Sequence, residues 1–101
     1  MTTIKPLQMM TWATSVKLPS APKHVLLVLC LHADKDMTCY PGQQRLVEQT
    51  GLSESTVRRA IKTLEDHSII FREKRFRKDG TRTSDRFHIN VGSQPVDNSS
   101  K

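Results

Sequence analysis

Little in this chain is available for catalysis. Its four glycines build no phosphate-cradling loop, and neither His-Glu-x-x-His nor Gly-x-Ser-x-Gly occurs. No enzyme is expected. The two cysteines, Cys30 and Cys39, form no Cys-x-x-Cys pair and no disulfide framework, which reads as reduced thiols in a cytoplasmic protein. Cys30 should be helical and buried. Cys30 and His32 lie two apart on a helix and so point away from each other. His24, His67 and His88 read as surface or capping residues, leaving no metal site and no cofactor. The longest apolar run, Val25–Leu31, is too short to span a bilayer, and no signal-peptide pattern opens the chain, so no membrane partner is expected. Aromatics number only five: Trp12, Tyr40, Phe71, Phe76 and Phe87. Four are expected in the core or the N-terminal arm, leaving Phe76 as the one candidate for exposure.

What the chain does have is positive charge, unevenly spread. Its 101 residues carry a net charge of +6. From Met1 to Val57 the balance is five basic against four acidic residues; from Arg58 to Lys101 it is eleven against six. A polyanionic partner would therefore sit on the second half.

Residues 1–18 read as an extended N-terminal arm, because Pro6 and the Thr-Trp-Ala-Thr-Ser-Val stretch lean towards strand or coil. Trp12 should anchor that arm on the domain by its apolar ring. Residues 19–92 form the domain proper. Ser20 is the expected N-cap of a first helix with Pro22 in its first turn, ending near Ala33. Its Val25–Leu31 run is apolar on all sides, which makes it the central helix. Thr38–Tyr40 reads as a short strand stopped by Pro41-Gly42. A second helix follows over Gln43–Gln49, with Leu46 and Val47 inward. Gly51 is suited to the left-handed turn that ends it.

Ser53 should cap the third helix, which places Val57, Ala60, Ile61 and Leu64 on one stripe and Ser55, Arg59 and Lys62 opposite, with Arg58 at the edge. Ile69–Arg77 and Arg82–Val91 then read as two strands joined across Asp79-Gly80. As a two-residue turn this sets Glu73 against Arg86 and Arg77 against Arg82. Residues 93–101 have nothing to bury and read as a disordered tail or linker.

Two short helices joined by a glycine turn meet the geometric requirement of a helix-turn-helix, whose second helix enters the major groove of DNA. The fold class is therefore α+β, mainly α: a winged helix-turn-helix of three helices with a small antiparallel sheet and a basic wing. Base readout falls to Ser55, Arg58, Arg59 and Lys62, with Ser53 and Thr56 at phosphates. The wing would meet the backbone through Arg75, Arg77, Lys78 and Arg82. Double-stranded DNA is the expected partner. RNA ranks below it, because A-form grooves suit a helix poorly and no paired strand aromatics are visible.

Several segments also resemble a known family. Met10-Thr-Trp-Ala, Lys23-His-Val-Leu-Leu, Thr38-Cys-Tyr-Pro-Gly-Gln and Thr50-Gly-Leu-Ser-Glu-Ser-Thr-Val-Arg-Arg-Ala-Ile-Lys-Thr-Leu-Glu look like the helix-turn-helix domains of phage and plasmid replication initiation proteins. The similarity to repressors of the GntR type is weaker. The resemblance implies a DNA-binding module working at replication origins in a bacterial host's cytoplasm. A homodimer on repeated or palindromic sites and replication proteins are its further possible partners. A transcriptional repressor of a mobile element and a protein-interaction module stay open as alternatives. Where such domains usually have glycine before the wing, this chain has Asp66-His67-Ser68, so its third helix should end differently.

Overall fold

The structure is a computed structural model that describes residues 6–81 and 83–93. Four helices occur among them: α1 (Pro6–Ser15), α2 (Ser20–His32), α3 (Gln43–Thr50) and α4 (Glu54–Asp66). Three strands accompany them: β1 (Thr38–Cys39), β2 (Ile70–Glu73) and β3 (Arg86–Ile89). The sheet is antiparallel in the order β1-β3-β2, with Thr38 opposite His88 and Glu73 opposite Arg86. The Glu73–Arg86 pairing is the one that the charge pattern predicts.

Helix α1 corrects the extended arm. Met9, Ala13 and Val16 recur at helical spacing and are buried against α2, so burial overrides the strand leaning of the segment. Its hydroxyl residues do not disrupt it, because Thr11, Thr14 and Ser15 donate to nearby carbonyls of their own chain segment. Trp12 anchors this helix as expected. Its ring packs against the core, and its Nε1–H donates to the Ser93 carbonyl at 2.9 Å. Of residues 93–101, only Ser93 lies within the described residues.

Helix α2 is the hub. It touches α1, α3 and α4 as well as β1 and β3, and Val25, Leu26, Leu29 and Cys30 are buried along it. Its N-cap lies one residue before the expected Ser20. Pro19 is the N-cap and makes no side-chain bond, while Ser20 is already helical. Burial pushes both thiols, Cys30 and Cys39, up to about 12.

The core joins that helix to Leu46 of α3, to Val57, Ala60, Ile61 and Leu64 of α4, and to Ile70, Phe87 and Ile89 of the sheet. Each of these sits on the inward side of its element. The elements that follow in the chain are therefore fixed against α2 by apolar contact. Three aromatics, not one, remain outside: Tyr40 is 40% exposed, Phe71 51% and Phe76 63%. β2 and β3 present one face to the core, so Phe71, opposite His88, faces away from it.

Candidate nucleic-acid interface

The turn between α3 and α4 is built as its residues dictate. Gly51 takes φ +73°, and its N–H closes α3 on the Val47 carbonyl at 2.9 Å. A side chain would be strained in that conformation. Thr50 bridges the break, its hydroxyl donating to the Leu46 carbonyl while accepting from the Leu52 N–H. Ser53 then caps α4, its Oγ accepting from the Thr56 N–H at 3.2 Å. Gln43 braces the two helices by donating from Nε2 to the Glu54 carbonyl. This last contact leaves no mark in the sequence, since the two residues share no periodic pattern.

Helix α4 carries its polar residues where expected. Ser53, Ser55, Arg58, Arg59 and Lys62 are exposed and Thr56 is half-buried, opposite the buried Val57, Ala60, Ile61 and Leu64. Their own contacts are light. Arg58 lies 3.9 Å from Glu54, Arg59 reaches the Thr56 hydroxyl at 3.5 Å, and Lys62 pairs with Asp66 at 2.9 Å. Exposed pairs of this kind contribute at most about 1 kcal/mol each and give way to a stronger anion.

The far end of α4 closes without glycine. The Ile69 N–H reaches the Leu64 carbonyl and the Ser68 N–H reaches that of Glu65, both at 2.9 Å. These are the two bonds of a Schellman ending, and Ser68 occupies its left-handed position at φ +59°. His67 serves as the C-cap.

Beyond Glu73 the chain forms the wing, residues 74–85. Its strands end sooner than the expected Ile69–Arg77 and Arg82–Val91. The turn also differs. Arg77 N–H donates to the Thr81 carbonyl at 2.7 Å, and Gly80 N–H returns to the Arg77 carbonyl. Arg77 therefore faces Thr81, not Arg82, across a three-residue loop with Gly80 at φ +90°. Asp79 fastens this loop by accepting from both the N–H and the hydroxyl of Thr81, bonds that hold its carboxyl below the usual range.

Four wing cations were expected at phosphates. Arg77 and Lys78 are exposed at the tip, and neither side chain has a partner among the described residues. Arg82 lies outside the described residues. Arg75 is half-buried and engaged, its guanidinium 4.5 Å from the centre of the Tyr40 ring and donating to the Ser84 carbonyl. The root of the wing lies against the start of α3, where a Cβ on Gly42 would come within 3.5 Å of Ser84 Oγ. Arg72 ties β2 to α4 through Glu65 at 2.7 Å. Helix α4 and the wing thus hang from one frame.

Residues 16–70 match the helix-turn-helix domain family, just over half of the chain. The chain belongs to that family. No curated protein and no solved structure matches it. The family segment covers α2, α3, α4 and the turn between the last two, and a helix-turn-helix domain suggests DNA binding. With its hairpin and three-stranded sheet the domain is a mainly helical winged helix-turn-helix, carrying α1 as an addition to the expected three helices. Among the described residues no helix is long and apolar enough to cross a membrane.

Proposed function

We propose that this domain binds double-stranded DNA sequence-selectively, with α4 in the major groove and the wing along the adjoining backbone. One observation carries the reading: the exposed arc of Ser55, Arg58, Arg59 and Lys62 on a helix whose opposite side is locked into the core. In this reading those four side chains face base edges, and arginine suits guanine by its paired donors. Ser53 and Thr56 meet phosphate at the helix N-terminus, where backbone N–H groups and the helix dipole favour an anion. Arg77, Lys78 and Arg82 follow the backbone, while Arg75 stays on Tyr40. The domain works by binding alone and is no enzyme.

The setting we favour is replication initiation at a phage or plasmid origin. It rests on the resemblance of the segment from Thr50 to Glu65. A second copy on a repeated or palindromic site and replication proteins are the partners that belong to it. A repressor of a mobile element would use the same surface on a different site.

Selection of bound duplexes from a random pool supplies the target, and a pool that stays random refutes selective binding. On the selected duplex, Arg59→Ala should cost about 1–3 kcal/mol of discrimination against a mismatched base pair. An equal loss on selected and random duplexes would place Arg59 at phosphate instead.

A further inference from the structure

Tyr40 stands between β1 and the Pro41-Gly42 entry to α3. One arginine of the wing and one at its β3 foot converge on it. From the β2 side, the Arg75 guanidinium lies 4.5 Å from the ring centre. From β3, the Arg86 guanidinium lies 5.1 Å from the same centre and donates to the phenol oxygen at 2.6 Å. Arg86 also approaches Glu73 at 3.8 Å. Bringing two guanidinium groups to one place costs repulsion, which the negative face of an aromatic ring and a phenol acceptor offset. Lys74, Phe76, Arg77 and Lys78 are all exposed, and the other fastenings of the wing lie at its root, where Thr83, Ser84 and Asp85 are half-buried and Asp85 lies 3.7 Å from Arg72.

We infer that Tyr40 is the positioning residue of the wing: by gripping Arg75 within it and Arg86 at its β3 foot, it sets the angle at which Arg77 and Lys78 stand relative to α4. This rests on the DNA-binding reading above. The frame behind it is continuous, because Tyr40 leads into α3 and Gln43 of α3 bonds to Glu54 of α4. The residue itself meets no phosphate. Its removal should act as the removal of the tip cations does.

The test is a salt titration of binding to the selected duplex, paired with hydrogen exchange of the free protein. If Arg77 and Lys78 each meet one phosphate, changing both to alanine should flatten the slope of log K against log salt by about 1.8, at 0.9 per contact. Tyr40→Ala should flatten it by a comparable amount while deleting no cation. Tyr40→Phe keeps the ring beneath both guanidinium groups and should stay near the wild-type slope. In the free protein, exchange at the Arg77 and Gly80 N–H groups should quicken in Tyr40→Ala and not in Tyr40→Phe. If Tyr40→Ala does not fold, Tyr40→Leu keeps apolar bulk without the ring and is read by the same two measurements. A wild-type slope in the alanine or leucine variant overturns the inference, as does unchanged exchange in the wing. Wild-type protein without salt-dependent duplex binding would instead overturn the DNA reading, a result visible before any variant is made.

Discussion

Helix α4 and the wing are neighbours in the chain, and opposite kinds of force place them. Four side chains of α4 are buried in one apolar stripe, and both its ends are closed by capping bonds. The wing buries almost nothing beyond its root; its shape comes from backbone bonds such as Arg77 to Thr81, and from polar contacts: Asp79 on Thr81, Arg72 on Asp85 and two arginines on Tyr40. Apolar burial is insensitive to salt and to protonation, whereas exposed polar contacts answer to both. The half of the surface proposed to read sequence therefore has the firmer foundation, and the half proposed to follow phosphates is the one that solution conditions can shift.

The sharpest way to break this contrast is through the core. Leu64 is fully buried beneath α4. Leu64→Ala should cost about 2–5 kcal/mol, a large part of the stability of a domain this small. Chemical denaturation measures it, and α4 and the wing should be lost in one transition. A variant that keeps the wild-type midpoint would show that burial does not place α4.

Acid separates the two regions with a smaller effect. The bonds from Thr81 hold the Asp79 carboxyl below its ordinary value of 3.8, and the bond from His88 holds Glu73 below 4.5. A lowered carboxylate contributes its full stability above the ordinary value and loses it as pH falls through the folded one. The Asp79 contribution is therefore whole above 3.8 and fades below it. The apolar stripe of α4 has nothing to titrate. Protection of the Thr81 N–H against hydrogen exchange, taken relative to the unfolded rate at the same pH, should accordingly fall below that pH before that of Leu64 does. A simultaneous loss of protection would mean that wing and helix open as one unit.

The smallest expected effect lies at the junction between them. Ser68 holds a left-handed conformation that costs a side chain about 1–2 kcal/mol. Ser68→Gly relieves that strain but gives the unfolded chain more freedom, so a net gain of only about 0.5–1 kcal/mol is expected. A lower melting temperature would show that the hydroxyl at this position does more than tolerate the turn.

How much of this could be read in advance follows the same division. Thr50-Gly51 and Ser53 announce the turn and cap of α4, and the Val57, Ala60, Ile61 and Leu64 spacing announces its buried side. Those are local signals, and the structure keeps them. Helix α1 was hidden because it carries no charged residue, so no polar face contrasts with Met9, Ala13 and Val16. The wing register was legible down to Glu73–Arg86 and lost at the tip. Asp79-Gly80 suits a two-residue turn as well as the end of a three-residue one, and only the backbone decides. Tyr40 gave no warning, since Arg75 and Arg86 reach it from 35 and 46 positions away.

The buried thiols have a practical sequel. Burial pushes Cys30 and Cys39 up to about 12, so both stay almost wholly as thiols at neutral pH. The thiolate is the nucleophile that adds to maleimides and similar reagents, so both natural cysteines should stay silent under gentle labelling. A single cysteine placed at exposed Lys78 would then take a dye alone, and the position of the wing could be followed by fluorescence without altering either native thiol.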